Sequence, residues 1–193
     1  MDTHRLEALS DGVLAIAITI MVLELKAPDQ AGTAGLLSVA PTFLSYILSF
    51  VYLGIHWNNH HHLFMACRTV TAPVMWANMH LLFWLSLIPL TTDWLGKSSF
   101  AGLPSAVYGF VLFMAAIAYI ILQRCVLATY PESAPLRKRF HADTKGRISL
   151  LLYLAGIAIS GVSPFLATTL YVFVAILWVI PDKRLATHLN VKP

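Results

Sequence analysis

The chain has 193 residues, of which 58% are hydrophobic and only 11% are charged, and its mean hydropathy is +0.73. A soluble domain typically carries about 25% charged residues, so this composition excludes an ordinary soluble protein and indicates a protein of the lipid bilayer. The net charge of +4 would also suit a nucleic-acid partner, but the basic residues lie in short segments between apolar stretches. There they meet lipid headgroups, so we expect membrane lipids and no nucleic acid as partners.

Six apolar stretches follow one another along the chain and predict an all-α integral membrane protein with one six-helix domain over residues 1–193. About 20 apolar residues cross the hydrocarbon core, and four of the stretches reach that length. The last two are shorter and are separated by Gly161, Ser163 and Pro164, which predicts a helical hairpin. Pro89 predicts a kink in the third stretch. The predicted spans are Leu9–Leu25, Ala40–Cys67, Pro73–Leu95, Leu103–Gln123, Ile148–Ser163 and Phe165–Ile180.

The basic residues predict the orientation of these spans. With a cytoplasmic N-terminus, eleven of the thirteen Lys and Arg residues fall in inner segments, and only Lys26 and Lys97 fall in outer ones. This asymmetry follows the positive-inside rule and predicts that both termini are cytoplasmic. Cys67 and Cys125 lie at inner helix ends, where reducing conditions argue against a disulfide.

The first stretch carries unusual polar residues, and polar residues within a membrane span are costly and are therefore functional candidates. On a helical wheel, one face of this stretch is an apolar stripe with Thr19 beside it, whereas Ser10 and Asp11 lie on the opposite side. Without further information such a stripe is more often a packing or lipid-facing surface. The stripe consists of Leu9, Gly12, Ile16, Ile20 and Leu23.

A buried carboxylate has to be paired or neutralised, so we expect Ser10 and Asp11 to join a buried polar network between helices. This structural role is favoured over a proton site. Arg5 is ambiguous, because it can fold back to Asp11, reach lipid phosphate, or stand at the inner end of the apolar stripe. The predicted network consists of Arg5, Ser10, Asp11, His56, Trp57, His60 and Asn78.

A run of histidines ends the second stretch and is the main alternative site. His56 and His60 are four residues apart and could share a metal ion on one helix face. No Cys or carboxylate lies nearby in sequence to complete a ligand set, and His60, His61 and His62 point in three directions. We therefore predict a polar interface network with no metal and no cofactor, and a protein that is not an enzyme. The alternatives left open are a histidine-site membrane enzyme and a proton-coupled transporter using Asp11, His56 and His60.

A local motif in the first stretch resembles the signature of the transmembrane protein 175 family of endosomal and lysosomal potassium channels and their bacterial relatives. That signature is Arg-x-x-x-Phe-Ser-Asp, then Gly-Val-x-Ala-Ile and a final Leu-Glu-Leu. The chain matches it with Arg5, Ser10-Asp11, Gly12-Val13-x-Ala15-Ile16 and Leu23-Glu24-Leu25, and has Leu9 in the place of Phe.

The resemblance implies a homotetramer in a bacterial inner membrane, with a central pore lined by four copies of the first helix. It assigns the pore constriction to Ile16 and further pore-lining positions to Thr19, Ile20 and Leu23. These residues belong to, or lie beside, the apolar stripe of the helical wheel. The expected function is a potassium channel that also admits other monovalent cations.

The chain contains no Thr-Val-Gly-Tyr-Gly loop, so a selectivity filter of backbone carbonyl groups is not expected. An apolar constriction gates by dewetting, because an ion without its water faces a large desolvation cost. Hydroxyl groups of Thr19, one turn above Ile16, could replace some of that water. We therefore predict modest potassium selectivity.

Overall fold

Every element of regular secondary structure in the described part of the chain is an α-helix, which confirms the all-α prediction. The structure is a computed structural model that describes residues 3–131 and 144–179. The inner basic residues at 137–139, 183–184 and 192, and the predicted end of the last span at Ile180, lie outside these ranges. The helices are α1 (Thr3–Leu23), α2 (Thr33–Met65), α3 (Ala72–Ser86), α4 (Ile88–Lys97), α5 (Gly102–Leu127), α6 (Thr144–Ile159) and α7 (Pro164–Val179).

Four helical segments are long and apolar enough to cross a membrane: α1, α2, the segment Ala72–Lys97 and α5. At 1.5 Å per residue, the 33 residues of α2 extend about 50 Å, so this helix tilts or projects beyond a hydrocarbon core of about 30 Å. The helices α6 and α7 have 16 residues each and pack together as neighbours joined through residues 160–163. The chain is an integral membrane protein.

The third apolar stretch is interrupted at Leu87, between α3 and α4. Pro89 has no backbone N–H to donate to the carbonyl group of Leu85, so the regular helical bonding fails there. The Leu87 N–H instead donates to the Trp84 carbonyl oxygen at 3.2 Å, and the Thr92 hydroxyl donates to the Ile88 carbonyl oxygen at 2.7 Å. The break is located where Pro89 predicts a kink.

The centre of the bundle is built around the aromatic ring of Tyr171 on α7. This ring lies in a slot between Gly109 on α5 and Gly156 on α6, since a Cβ atom on either glycine would approach it within 2.0–2.4 Å. The Tyr171 hydroxyl donates to the Ser105 carbonyl oxygen at 3.2 Å, and the Tyr171 carbonyl oxygen accepts from the Tyr52 hydroxyl at 2.6 Å. One buried residue thereby joins α2, α5, α6 and α7 through its side chain and its backbone carbonyl group.

Replacing Gly109 with alanine is expected to destabilise the protein by about 1–3 kcal/mol, the usual cost of overpacking a tight core. The new Cβ would lie 2.0 Å from the Tyr171 hydroxyl oxygen, and Gly156 prevents the ring from moving away. The thermal unfolding midpoint in detergent measures the effect. Gly54→Ala on α2 is the control, because a Cβ there meets no atom within 4 Å and improves helix propensity. Equal midpoints for the two variants would contradict the tight packing of the Tyr171 ring against Gly109.

Candidate functional site

The first helix, α1, lies at the surface of the bundle and packs against α2, α3 and α4. Its buried residues recur every three or four positions and define one face, as expected for a helix with a single packed side. The buried residues of α1 are Leu6, Ser10, Leu14, Ala17 and Met21.

The apolar stripe predicted on α1 is left uncovered in the single chain. Ile16 is 61% exposed, Leu23 is 74% exposed, and Leu9 and Ile20 are each 45% exposed. These side chains form a column along the helix, because they are spaced by three, four or seven residues. The structure therefore leaves the residues predicted to line a pore free to meet water, lipid or another copy of the chain.

The hydroxyl group of Thr19 lies beside this column on an exposed part of α1. It donates to the Ala15 carbonyl oxygen at 2.8 Å. Because its only proton is used in this bond, the lone pairs of the hydroxyl oxygen stay available to accept hydrogen bonds or to contact a cation.

A chain of buried hydrogen bonds joins α1 to α2 and α3. His60 Nε2 lies 2.8 Å from Asn78 Oδ1, the Asn78 amide donates to Ser10 Oγ at 3.1 Å, and Ser10 donates to the Leu6 carbonyl oxygen at 2.8 Å. Each donor therefore has an acceptor when His60 carries its proton on Nε2. His60 also stacks on Phe64, with ring centroids 4.3 Å apart. Three members of the predicted network, Ser10, His60 and Asn78, thus lie together.

Asp11 contacts its predicted partner Trp57, but within the single chain it is exposed and not buried as predicted. Its carboxylate accepts a hydrogen bond from Trp57 Nε1 at 2.9 Å, but Asp11 is exposed and Trp57 is 51% exposed in the single subunit. The reason is geometric: Asp11 lies one residue after Ser10, so it is about 100° away from the centre of the buried face. The Asp11–Trp57 pair is therefore a second contact of α1 with α2, at the edge of the packed surface.

Two other predicted members, His56 and Arg5, do not join the network. His56 Nδ1 bonds to the Tyr52 carbonyl oxygen at 2.9 Å, and the ring faces a cavity formed with α5, α6 and α7. His60 instead bonds to Asn78 on α3, so His56 and His60 face different neighbouring helices and do not form one site. Arg5 is exposed and makes no hydrogen bond or ion pair with any residue in the described ranges.

The histidine run does not form a metal site in the described part of the chain, where no group of three His, Cys, Asp or Glu side chains could hold an ion. His60 is committed to Asn78, and His61 stacks against Trp57 at a centroid distance of 6.5 Å.

The C-terminal end of α1 has an electrostatic contact that was not predicted from the sequence. Lys97 Nζ lies 2.7 Å from Asp93 Oδ2 and 3.5 Å from Glu24 Oε2. The spacing of four residues between Asp93 and Lys97 signals the first pair. Nothing in the sequence signals the second, because 73 residues separate Glu24 from Lys97.

The chain resembles several known channels over most or part of its length. It is 51% identical over 98% of its residues to a potassium channel of Chryseobacterium sp. (strain P1-3), of which it covers 99%. It is 33% identical over 47% of its residues to the endosomal/lysosomal proton channel TMEM175 of Bos taurus, of which it covers 21%. Its fold matches the crystal structure of a lysosomal potassium-selective channel TMEM175 homolog from Chamaesiphon minutus with a TM-score of 0.77 and 29% identity, over 92% of this chain and 96% of that one.

The family model of the endosomal/lysosomal potassium channel TMEM175 matches residues 5–89. This range contains the uncovered column of α1, Thr19 and the whole hydrogen-bonded chain. Because these relatives are channels, the protein is not an enzyme. The chain belongs to the TMEM175 potassium channel family.

Proposed function

We propose that this chain is the subunit of a homotetrameric potassium channel whose pore is lined by the uncovered column of α1. The observation that carries the proposal is that this column is uncovered, with Ile16 at 61% exposure, although another face of the same helix packs against the bundle. On that packed face Ser10 is hydrogen-bonded to Asn78. The identity of the permeant ion is supported by the potassium channel of Chryseobacterium, which resembles the chain over nearly its whole length.

The exposed carboxylate of Asp11 supports assembly into an oligomer. A carboxylate within a membrane span faces protein or water and not lipid, because an ionised group in hydrocarbon is very costly. In the single subunit Asp11 has the Trp57 indole as a hydrogen-bond partner and is otherwise uncovered. A second copy packed beside α1 would cover this pair while leaving the column of Ile16 directed towards a central axis.

The same proposal includes six membrane-spanning helices in each subunit. In this arrangement α3 and α4 together form the third span, and α6 and α7 form the last two as a hairpin. Both termini face the cytoplasm of a bacterial cell, in agreement with the distribution of basic residues.

The constriction is assigned to Ile16, with Ile20 and Leu23 extending the apolar lining outwards. Four isoleucine side chains around an axis offer no atom that can replace the water of an ion. A narrow ring of this kind empties of water and blocks conduction, and a wider ring fills and conducts. Gating is therefore a change in the width of the apolar ring, without a carbonyl-lined filter.

The decisive test of the function is ion flux through the purified protein in planar bilayers. Under opposing potassium and sodium gradients we expect unitary currents whose reversal potential is closer to the equilibrium potential of potassium than to that of sodium. A pH gradient applied in the same bilayers distinguishes the alternative of proton transport, since a relative from Bos taurus is a proton channel. Saturable flux without unitary currents would favour a transporter and would overturn the proposal.

Thr19→Val is expected to reduce the potassium-to-sodium permeability ratio by about two- to tenfold, the range that corresponds to one lost polar contact. Valine keeps the shape of threonine and removes the oxygen whose lone pairs are free in the structure. The shift in reversal potential under bi-ionic conditions measures the ratio. Thr169→Val is the matched control, because Thr169 on α7 makes the same bond to the carbonyl group four residues earlier, at 2.9 Å. An unchanged ratio in Thr19→Val removes Thr19 from the selectivity mechanism.

A further inference from the structure

A second candidate ligand site lies on the side of the bundle away from α1. It is a partly open cavity of about 40 Å³ between α2, α5, α6 and α7, enough for about three water molecules. No residue of α1 lines it, so it is separate from the proposed pore surface. Its walls include His56, Asn59, Tyr119, Ser149, Tyr153 and Trp178.

Two polar groups at this cavity are left without protein partners in the described part of the chain. His56 Nδ1 bonds to the Tyr52 carbonyl oxygen, which can only accept, so Nδ1 carries the proton of the neutral ring and Nε2 is a free acceptor. The side-chain amide of Asn59 makes no hydrogen bond with any described residue, although its carbonyl group in the backbone accepts from Tyr119. A donor and two acceptors therefore stand within reach of one pocket.

The residues at and beside the cavity suit the interface between hydrocarbon and headgroups. Asn59 is six residues from the end of α2 at Met65, a rise of about 9 Å. Lys145 lies beside the cavity, with its Nζ 6.0 Å from the centre of the ring of Trp178, which lines it. Trp and Lys side chains are typical of this interface. A bound lipid would have its glycerol region here and its acyl chain in the bilayer.

The lining favours an uncharged headgroup. Among the described residues, it contains aromatic, aliphatic, amide, imidazole and hydroxyl groups, and no Lys, Arg, Asp or Glu. Lys145, which lies beside the cavity, donates to the Leu177 carbonyl oxygen at 3.4 Å, and its Nζ lies over the Trp178 ring. Free hydroxyl groups supply both the donor that His56 Nε2 requires and the acceptor that the Asn59 amide requires.

We propose that the cavity between α2, α5, α6 and α7 binds a neutral lipid with a free-hydroxyl headgroup, of the monoacylglycerol type. Hydrogen bonds from the headgroup hydroxyls to His56 and from Asn59 to the headgroup hold the lipid, and Tyr119, Tyr153 and Trp178 enclose the glycerol region. The site adjoins the same segment of α2 that carries Trp57, the partner of Asp11, so an occupied cavity stiffens the helix against which α1 is held.

The test is photo-crosslinking of the purified full-length protein in lipid nanodiscs with a monoacylglycerol that carries a diazirine close to the headgroup. Mass spectrometry is expected to locate the label on the parts of α2, α5, α6 or α7 that line the cavity. Excess 1-monooleoylglycerol should suppress the label, whereas methyl oleate, which has the same chain and no hydroxyl group, should not. Equal suppression by methyl oleate, or stronger suppression by oleate, would overturn the neutral-hydroxyl site.

Two variants and one control localise the label. Asn59→Leu is expected to reduce labelling about fivefold through the lost hydrogen bonds, and Ala116→Phe is expected to abolish it by filling the cavity. Ile117→Phe adds the same ring to the neighbouring position of α5, which does not line the cavity, and should leave labelling unchanged. Undiminished labelling in a monodisperse, folded Ala116→Phe protein contradicts the proposal. Labelling requires no ionic current, so its failure is distinct from a failure of the proposed channel function.

Discussion

Ile16→Asn is expected to raise the potassium current through the reconstituted protein at least about tenfold, which corresponds to lowering the barrier by about 1.4 kcal/mol. The isoleucine side chain is 61% exposed and stands in the uncovered column of α1. An amide at this position in four subunits would keep the constriction hydrated, so that an ion passes without losing its water. Because the amides attract any hydrated cation, the preference for potassium over sodium should fall at the same time.

The control for this experiment is Leu44→Asn on α2. Leu44 is 57% exposed, so the two variants place the same polar group at apolar positions of nearly equal exposure in the single subunit. Leu44→Asn should leave unitary current and selectivity unchanged. If both variants increased the current equally, a general loosening of the assembly would explain the result, and Ile16 would not be the constriction.

Asn78→Leu is expected to lower the free energy of unfolding by about 1–3 kcal/mol and to weaken the attachment of α1 to the bundle. The Asn78 side chain is fully buried and is bonded to both His60 and Ser10. Leucine has a similar size but supplies neither the acceptor for His60 nor the donor for Ser10. The His60 ring nitrogen would then be buried without a partner, which is the costly outcome.

Thermal unfolding in detergent measures this loss, with Met79→Leu as the control. Met79 is the next residue of α3 and is 41% exposed, so its exchange for leucine should shift the midpoint little. A drop in midpoint that is the same for both variants would indicate that the hydrogen-bonded chain does not hold α1 in place. Single-channel recording of Asn78→Leu should also show unstable openings, because α1, which is proposed to line the pore, loses its buried anchor.

The polar chemistry of α1 was readable from the sequence only in part. Ser10 and Asp11 are conspicuous because polar residues are rare within an apolar span. Their fates differ in the structure: Ser10 is buried and bonded to Asn78, whereas Asp11 remains exposed beside Trp57. A helical wheel gives the angle between two side chains, but it does not give the width or the centre of the face that neighbouring helices cover.

The histidine run shows the same difference between spacing and environment. The interval of four residues places His56 and His60 on one side of α2, but α3 approaches His60, while α5, α6 and α7 surround the pocket at His56. A helix buried among several neighbours divides one face between different partners. Sequence spacing alone therefore joined two residues into one network that the packing separates.

The sequence by itself determined the helical class, the membrane setting and the apolar column of α1, because these depend on composition and on the 3.6-residue period of a single helix. The tertiary structure decided the partners: Asn78 for Ser10 and His60, Trp57 for Asp11, and Lys97 for Glu24. It also created the cavity at His56 from four helices that are far apart in the chain. Such contacts depend on how the helices pack, and no local period in the sequence records that arrangement.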